Sequence, residues 1–139
     1  MAFHAFSKFM IDGDTIENYT HNGTNLGYEF KLRYPSYRGT FLSCIEKLEI
    51  AVDDKPVDSR AVVFILNGKE FLVHELKELF REYWFVLDRA TIRVLSDGGL
   101  TAGTHTLKVC LKHRIPYTGY FGSYLVLDSI CEKTVKVGG

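Results

Sequence analysis

The chain lacks an excess of charge of either sign. Its 17 Lys and Arg residues balance its 17 Asp and Glu residues, so the formal net charge of the 139 residues is zero at pH 7. Binding to nucleic acid or to an anionic membrane usually depends on an excess of positive charge on the protein. We therefore expect neither nucleic acid nor a membrane among the partners of this protein.

Cysteine is also scarce. The chain has three cysteines, which is an odd number, and they are widely spaced: Cys44, Cys110 and Cys131. No two of them form a Cys-x-x-Cys pair. This pattern predicts neither a disulfide framework nor a zinc site, and favours three small apolar residues in a reducing compartment. The first residues show no basic region followed by a long apolar run. We therefore expect no signal peptide, no membrane span and a cytoplasmic location.

Motifs for catalysis and for metal binding are missing as well. The glycine-rich segment 96–104 leads into a predicted strand, whereas a phosphate-binding loop leads into a helix and carries Lys-Ser/Thr. No Gly-x-Ser-x-Gly elbow occurs, and His74 does not begin a His-Glu-x-x-His motif. His105 and His113 share a strand face but would lie about 26 Å apart at ~3.3 Å per residue. We predict no catalytic residue, no cofactor and no metal in this chain.

The residues that are abundant favour β structure. Hydrophobic residues make up 46% of the chain and aromatic residues 14%, which excludes a disordered chain and suits strands. Between residues 25 and 34 the odd positions include charged side chains, while the even positions are apolar: Leu26, Tyr28, Phe30, Leu32 and Tyr34. This alternation predicts a strand with one buried face. Asn22-Gly23 and Asn67-Gly68 predict tight hairpin turns.

One segment departs from the two-residue period. Leu72, Leu76, Leu79 and Phe80 recur at helical spacing, which predicts one short helix at about 73–81. The length is that of one ordinary domain, and no linker interrupts the sequence, so we expect a single domain over 1–139. The fold class we predict is all-β, an antiparallel, jelly-roll-like β-sandwich with one short helix.

Two of the predicted loops are unusually aromatic for surface connections. They have the sequences YPSYRGTFLS (34–43) and IPYTGYFGSY (115–124). Tyr and Arg are preferred in the cores of protein interfaces, because they contribute a large contact area. The alternative, that the rings cover the open ends of the sandwich, remains open at this point. The residues that we predict to contact a partner or line a substrate mouth are Tyr34, Pro35, Tyr37, Arg38, Phe41, Pro116, Tyr117, Tyr120 and Phe121.

Several motifs occur in an order that is typical of one family. The pattern G-x-x-F-x-x-R-x-P-x-Y-R-G, followed by L-S, is supplied by Gly27, Phe30, Arg33, Pro35, Tyr37, Arg38, Gly39, Leu42 and Ser43. The segments FILNGKEFLVHEL and ATIRVLSDGGLTAGTHTLKVCLKHRIPY follow it. Over roughly residues 5–137 the chain thus resembles the small (β) subunit of bacterial C-glycoside deglycosidases.

The resemblance implies a β-sandwich subunit of a carbon–carbon lyase. The partner would be a larger (α) subunit of the sugar-isomerase-like TIM-barrel type, which would carry a divalent metal, manganese. Together, in a higher hetero-oligomer, they would cleave the bond between the 3-oxo sugar of a C-glycoside and a flavonoid-type aglycone. The metal ligands and the base would belong to the larger subunit. The isolated small chain would then be inactive and would support or cap the active-site mouth.

Two other classes of protein stay open from the sequence alone. A free-standing carbohydrate-binding module would stack sugars on exposed Tyr or Trp rings. The only tryptophan, Trp84, lies in an apolar run that is typical of a core. A cupin-like metalloenzyme would need several His and a carboxylate that converge on one ion. One equivalent of metal, lost on replacement of His105 or His113, would favour that class.

Overall fold

Strands and turns make up nearly all of the chain. The computed structural model describes residues 9–35, 39–115 and 125–137. Its eleven strands are β1 (Ile11–His21), β2 (Thr24–Arg33), β3 (Thr40–Phe41), β4 (Ile45–Val52), β5 (Lys55–Pro56), β6 (Val62–Leu66), β7 (Lys69–Leu72), β8 (Tyr83–Trp84), β9 (Arg89–Leu95), β10 (Gly103–Ile115) and β11 (Leu125–Val137). The prediction of an all-β fold is confirmed.

Nine of these strands form one curled sheet. Their order is β5-β4-β10-β11-β1-β2-β9-β6-β7, while β3 and β8 pair with each other. The described pairings are antiparallel except that of β1 with β11, which is parallel at Thr15 and Ile16. At that point β1 leaves β2, with a register shift between Asp12 and Glu17. Antiparallel pairing thus prevails, as predicted, and the parallel contact lies where β1 joins the two halves of the sheet. The sandwich and the jelly-roll order stay predictions.

The two-residue period of the sequence decides which side chains are buried. On β2, Tyr28, Phe30 and Leu32 are buried as predicted, and β10 buries Leu107 and Leu111 in the same way. The buried side chains of both halves of the sheet belong to one hydrophobic cluster. Burial of each large apolar side chain contributes about 1.5–3 kcal/mol relative to exposure. The core therefore holds the two halves together.

Three two-residue turns between paired strands have positive φ at both of their residues. The φ angles are 51° and 78° at Asn22-Gly23, and 53° and 79° at Asn67-Gly68. These are the backbone angles of two-residue hairpin turns, in which Asn and Gly are favoured because they tolerate the left-handed region. Asp53-Asp54 makes a similar turn between β4 and β5, with φ of 51° and 65°. The predicted hairpins are confirmed.

The predicted helix at 73–81 is present in a shorter and tighter form. Val73–Glu78 is a 3₁₀ helix, in which Leu76 is buried. The carboxylate of Glu75 accepts a hydrogen bond from the N–H of Leu72 at 2.8 Å and so fixes the start of this helix. No helix among the described residues has the length and apolar composition that crossing a membrane requires. Two further 3₁₀ helices, which we did not predict, are Leu42–Cys44 and Ser59–Ala61.

The cysteines behave as small apolar residues. All three are free thiols; Cys44 and Cys131 are buried, and Cys110 is half-buried. Burial raises the pKa of the Cys110 thiol. Because the thiolate is the reactive form, this shift makes Cys110 a poor nucleophile at neutral pH.

Candidate functional site

A group of exposed and half-buried aromatic rings lies where β3 pairs with β8. Phe41 is opposite Tyr83 in the register, and their ring centroids are 4.9 Å apart. The rings of Tyr83 and Phe85 follow at 4.7 Å. Phe41 and Phe85 are 41% and 59% exposed, and Phe80 and Leu87 on the same segment are also exposed. We refer to these five residues together as the aromatic surface.

Such a surface is costly in a chain that stands alone. Each large apolar side chain left in water forgoes about 1.5–3 kcal/mol of burial free energy. Single exposed apolar residues are normal, but a contiguous group marks a site of interaction with another molecule. The aromatic surface is therefore the candidate functional site of this chain.

Strand alternation explains why three successive residues have opposite environments. Trp84 is completely buried, and its ring packs against Phe64 at 5.3 Å and Tyr34 at 5.2 Å between centroids. Successive side chains of an extended segment point to opposite sides. Burial of Trp84 therefore turns its neighbours Tyr83 and Phe85 outward. The direction of these two rings thus depends on the packing of Trp84 in the core.

Backbone contacts hold the two strands of the aromatic surface together. The N–H of Leu42 donates to the carbonyl of Glu82 at 2.8 Å, which extends the pairing of β3 with β8. Gly39 lies against the same segment. A Cβ at Gly39 would lie 2.9 Å from Cε1 of Tyr83 and 3.0 Å from Cα of Phe85, and would also overlap the backbone of β8. Glycine is therefore needed here for the close approach of two backbones.

Charged groups lie beside the aromatic surface. Nζ of Lys69 pairs with Oε1 of Glu82 at 2.7 Å. Arg114 donates to the carbonyl of Ser43 at 3.3 Å and lies 3.6 Å from the carboxylate of Glu46. An apolar centre with charged neighbours is the usual composition of a protein–protein interface.

The structure separates the residues that the sequence predicted for the site. Phe41 is exposed on the aromatic surface, whereas Tyr34 and Pro35 are buried among residues of this chain. The alternation of β2 continues through Tyr34, which explains its inward direction. The predicted residues that lie outside the described parts of the chain are Tyr37, Arg38, Pro116, Tyr117, Tyr120 and Phe121.

Four residues of the aromatic surface were missed by the sequence analysis: Phe80, Tyr83, Phe85 and Leu87. The segment around Trp84 was interpreted as a core strand, which is correct for Trp84 alone. The available signal was the number of large apolar side chains on both sides of Trp84. In an extended segment only every second side chain points to the same face. The large apolar neighbours of buried Trp84 must therefore lie on the other face.

A buried polar chain lies behind the aromatic surface. The hydroxyl of Tyr34 and Nδ1 of His113 are 2.8 Å apart, and Nε2 of His113 lies 2.8 Å from Oγ of Ser129. His113 is completely buried, and burial lowers its pKa to about 4. The neutral ring has one donor and one acceptor nitrogen, so it can bond to both hydroxyls at pH 7.

A second histidine is held at the opposite end of β10. Nδ1 of His105 lies 2.6 Å from Oδ2 of Asp53, and its Nε2 lies 2.8 Å from the carbonyl of Thr101. Both partners can only accept, so the doubly protonated ring fits best. The hydrogen bond to Asp53 accordingly raises the pKa of His105 and lowers that of Asp53. This pair stabilises two turns and leaves no ring nitrogen for catalysis.

The raised pKa of His105 predicts a loss of stability at alkaline pH. Just above pH 6.5 the folded chain holds a proton on His105 that the unfolded chain has lost. The free energy of unfolding should therefore fall as the pH rises from 6.5 through the folded pKa of His105. Urea unfolding at a series of pH values should show this fall in the wild-type chain and a weaker fall in His105→Gln. Parallel curves for the two chains would contradict the prediction.

The remaining candidate features do not converge on one ion or one sugar. In residues 9–35, 39–115 and 125–137, no group of three or more His, Cys, Asp or Glu is placed to bind a metal. A groove of about 380 Å³ runs beside β4, where Glu46, His74 and Lys77 line it. None of its described lining residues is Phe, Tyr or Trp, the side chains on which sugars usually stack.

The fold and the site together define an all-β protein that carries exposed aromatic side chains beside one short strand pair. The sequence model of the C-glycoside deglycosidase beta subunit family matches residues 6–117, which include the whole aromatic surface. The chain belongs to this family, as the resemblance predicted.

Named relatives agree with this membership. The C-glycoside deglycosidase beta subunit of Eubacterium cellulosolvens is 34% identical over 87 residues, which are 63% of this chain and 59% of that protein. The 3'-dehydrocarminate deglycosidase beta subunit of a Microbacterium species is 35% identical over 80% of this chain and 83% of its own length. A beta subunit of Microbacterium trichothecenolyticum is 33% identical over 78% of this chain and 82% of its own length. The chain thus spans less than two thirds of the Eubacterium relative.

Proposed function

We propose that this chain is the small (β) subunit of a heteromeric C-glycoside deglycosidase and that it binds the larger (α) subunit through the aromatic surface. The observation that carries the proposal is the exposure of Phe41 and Phe85, whose rings both pack against half-buried Tyr83, in a member of a family of beta subunits. A beta subunit needs a contact with another subunit. The aromatic surface holds four of the ten large hydrophobic residues that are exposed in the described parts of the chain, and their burial against another subunit would be favourable.

The size and composition of the aromatic surface suit the centre of such a contact. A large aromatic side chain can bury about 150–250 Å², and a standard interface buries about 800 Å² on each partner. Phe41, Phe80 and Phe85 are 41%, 68% and 59% exposed, so that share of their area could form the centre of the contact while surrounding residues supply the rest. The ion pair of Lys69 with Glu82 lies beside them, where a hydrated rim would surround the dry centre.

The complex is proposed to be a carbon–carbon lyase that acts on 3-oxo-C-glycosides. One relative is named for a dehydrocarminate, and a dehydro sugar carries the ketone that this chemistry needs. A ketone at C3 acidifies the hydrogen at C2, so a base can remove that proton. The bond from C1 to the aglycone then breaks, the aglycone carbon takes up a proton, and an unsaturated keto-sugar remains. The aglycone is proposed to be of flavonoid type.

The reacting groups are assigned to the larger subunit, which is proposed to be a sugar-isomerase-like TIM barrel. A divalent metal there, manganese, would stabilise the charge that develops on the ketone oxygen. The small chain is proposed to take no chemical step. It would support the larger subunit or cap the mouth of the active site, as one component of a higher hetero-oligomer.

Co-expression with the larger subunit from the same genome tests this function. We expect the two chains to elute together from a sizing column and to cleave a 3-oxo-C-glycoside, whereas this chain alone should be inactive. Full activity of the isolated chain would refute the assignment, and so would consistent failure of the two chains to elute together. Tight binding of a sugar by the isolated chain would instead support a carbohydrate-binding module.

A further inference from the structure

The buried polar chain behind the aromatic surface connects parts of the fold that are distant in sequence. Tyr34 follows β2, whereas His113 is on β10 and Ser129 on β11. In the sheet, β1 separates β2 from β11 and β10, so the hydrogen bonds join the two halves of the sheet. The link therefore fixes the position of Tyr34 relative to both halves.

The position of Tyr34 in turn sets that of Trp84. The Tyr34 ring packs edge-on against His113, with centroids 5.1 Å apart and planes at 73°. The Tyr34 ring also packs against the ring of Trp84, with centroids 5.2 Å apart and planes at 56°. Trp84 is completely buried and its Nε1–H donates to the carbonyl of Asp88 at 2.9 Å. A shift of Tyr34 would therefore change the position of the Trp84 ring directly.

Movement of Trp84 would be transmitted to the aromatic surface. Tyr83 and Phe85 are its two neighbours in the chain, and Phe41 packs on Tyr83. We propose that Ser129, His113 and Tyr34 form a positioning chain that holds Trp84, and through it the aromatic surface, in the orientation that the larger subunit binds. This inference rests on the proposed function for its partner, but the positioning of Trp84 can be measured without a partner.

Directional bonding explains why polar groups occupy this place in the core. Apolar contacts are non-directional, and an apolar replacement of similar shape could fill the same volume without strain. Hydrogen bonds of 2.8 Å on both sides of His113 instead fix the angle of the Tyr34 ring. A fully satisfied buried network can thereby specify one arrangement of its neighbours.

The test uses variants that remove one hydroxyl each and leave the apolar shape nearly unchanged. Tyr34→Phe and Ser129→Ala break the positioning chain at opposite ends, while Ser129→Thr keeps the hydroxyl. Ile16→Val is the matched control, because Ile16 is buried at the far end of the sheet, where it pairs with Val137. Loss of one buried methyl group costs about as much stability as loss of one hydrogen bond, so the control matches the hydroxyl-deleted variants in stability.

Two quantities are measured: the dissociation constant for the larger subunit, and the fluorescence of Trp84 in the free chain. Trp84 is the only tryptophan, so its emission reports on this position alone. We expect Tyr34→Phe and Ser129→Ala to bind the larger subunit about ten-fold more weakly, which corresponds to roughly 1.4 kcal/mol. Their Trp84 emission should move to longer wavelength and be quenched more readily by acrylamide. Ser129→Thr and Ile16→Val should match the wild-type chain in both measurements.

The outcomes distinguish this inference from the proposed function. If both hydroxyl-deleted variants keep wild-type emission, or bind the partner as tightly as Ile16→Val does, the positioning role is refuted. If the emission changes as expected while even the wild-type chain fails to bind, the proposed function is refuted and only the positioning of Trp84 remains. Should Tyr34→Phe fail to fold, Ser129→Ala at the other end of the positioning chain decides between these results.

Discussion

Replacement of Phe85 by serine should lower the affinity for the larger subunit at least ~30-fold, because aromatic anchors at the centre of an interface contribute about 2 kcal/mol or more each. The double variant Phe41→Ser/Phe85→Ser should abolish binding that can be measured at micromolar concentrations. Phe85 is 59% exposed, so the free energy of unfolding should change by less than about 0.5 kcal/mol. Affinity measurements on purified subunits, together with urea unfolding of each variant, check both parts.

Leu95→Ser is the matched control for this experiment. Leu95 is also a large exposed apolar residue, at 47%, but it pairs with Gly27 at the end of the sheet away from the aromatic surface. Its replacement should leave the affinity unchanged. Equal losses for Leu95→Ser and Phe85→Ser would show that the larger subunit does not bind through the aromatic surface.

Replacement of Trp84 by alanine should destabilise the fold by about 3–5 kcal/mol, the range for truncation of a buried aromatic side chain. Trp84 is completely buried between Phe64 and Tyr34. The replacement also removes the indole N–H that donates a hydrogen bond to the carbonyl of Asp88. Unfolding should be followed by circular dichroism, since the variant has no tryptophan. The midpoint of urea unfolding should fall strongly while the slope of the transition stays the same.

Leu87→Ala serves as the control for Trp84→Ala. Leu87 lies on the same segment but is 87% exposed, so its replacement should change the unfolding free energy by less than about 0.5 kcal/mol. A cost below about 1 kcal/mol for Trp84→Ala would mean that the core tolerates an empty site behind β8. The aromatic surface would then not depend on Trp84 for its position.

Exposure of the aromatic surface should make copies of the isolated chain associate with one another. The aromatic surface leaves Phe41, Phe80 and Phe85 in water, and exposed apolar groups promote association between copies. Co-expression with the larger subunit should therefore raise the yield of this chain. Phe85→Ser should raise the yield of the chain expressed alone.

Local patterns in the sequence determined much of the fold. The alternation predicted the buried face of β2 correctly from Tyr28 to Tyr34, whereas Leu26, which was also expected on that face, is 37% exposed near the start of the strand. The two Asn-Gly pairs predicted the turn before β2 and the turn after β6. These signals are reliable because they depend on the direction of successive side chains and on the φ angles that Asn and Gly tolerate. The order of the motifs also predicted the family, which the match over residues 6–117 confirms.

Other features of the sequence were ambiguous in themselves. Helical spacing at 72–80 predicted a helix at about 73–81, yet the chain forms only the 3₁₀ helix Val73–Glu78. Short apolar segments fit helix and strand alike, and tertiary contacts decide between them. Tyr34 similarly satisfied two interpretations, as the last buried residue of a strand and as the first residue of an aromatic loop.

Only the tertiary structure decided which aromatic residues meet. Trp84 pairs with Thr40, which brings Tyr83 against Phe41, and a hydrogen bond across 79 residues joins Tyr34 to His113. The sequence by itself determined which side chains point inward, because that depends on the local backbone. It did not determine the partners of those side chains, because strand register is set by contacts between distant segments as the core packs.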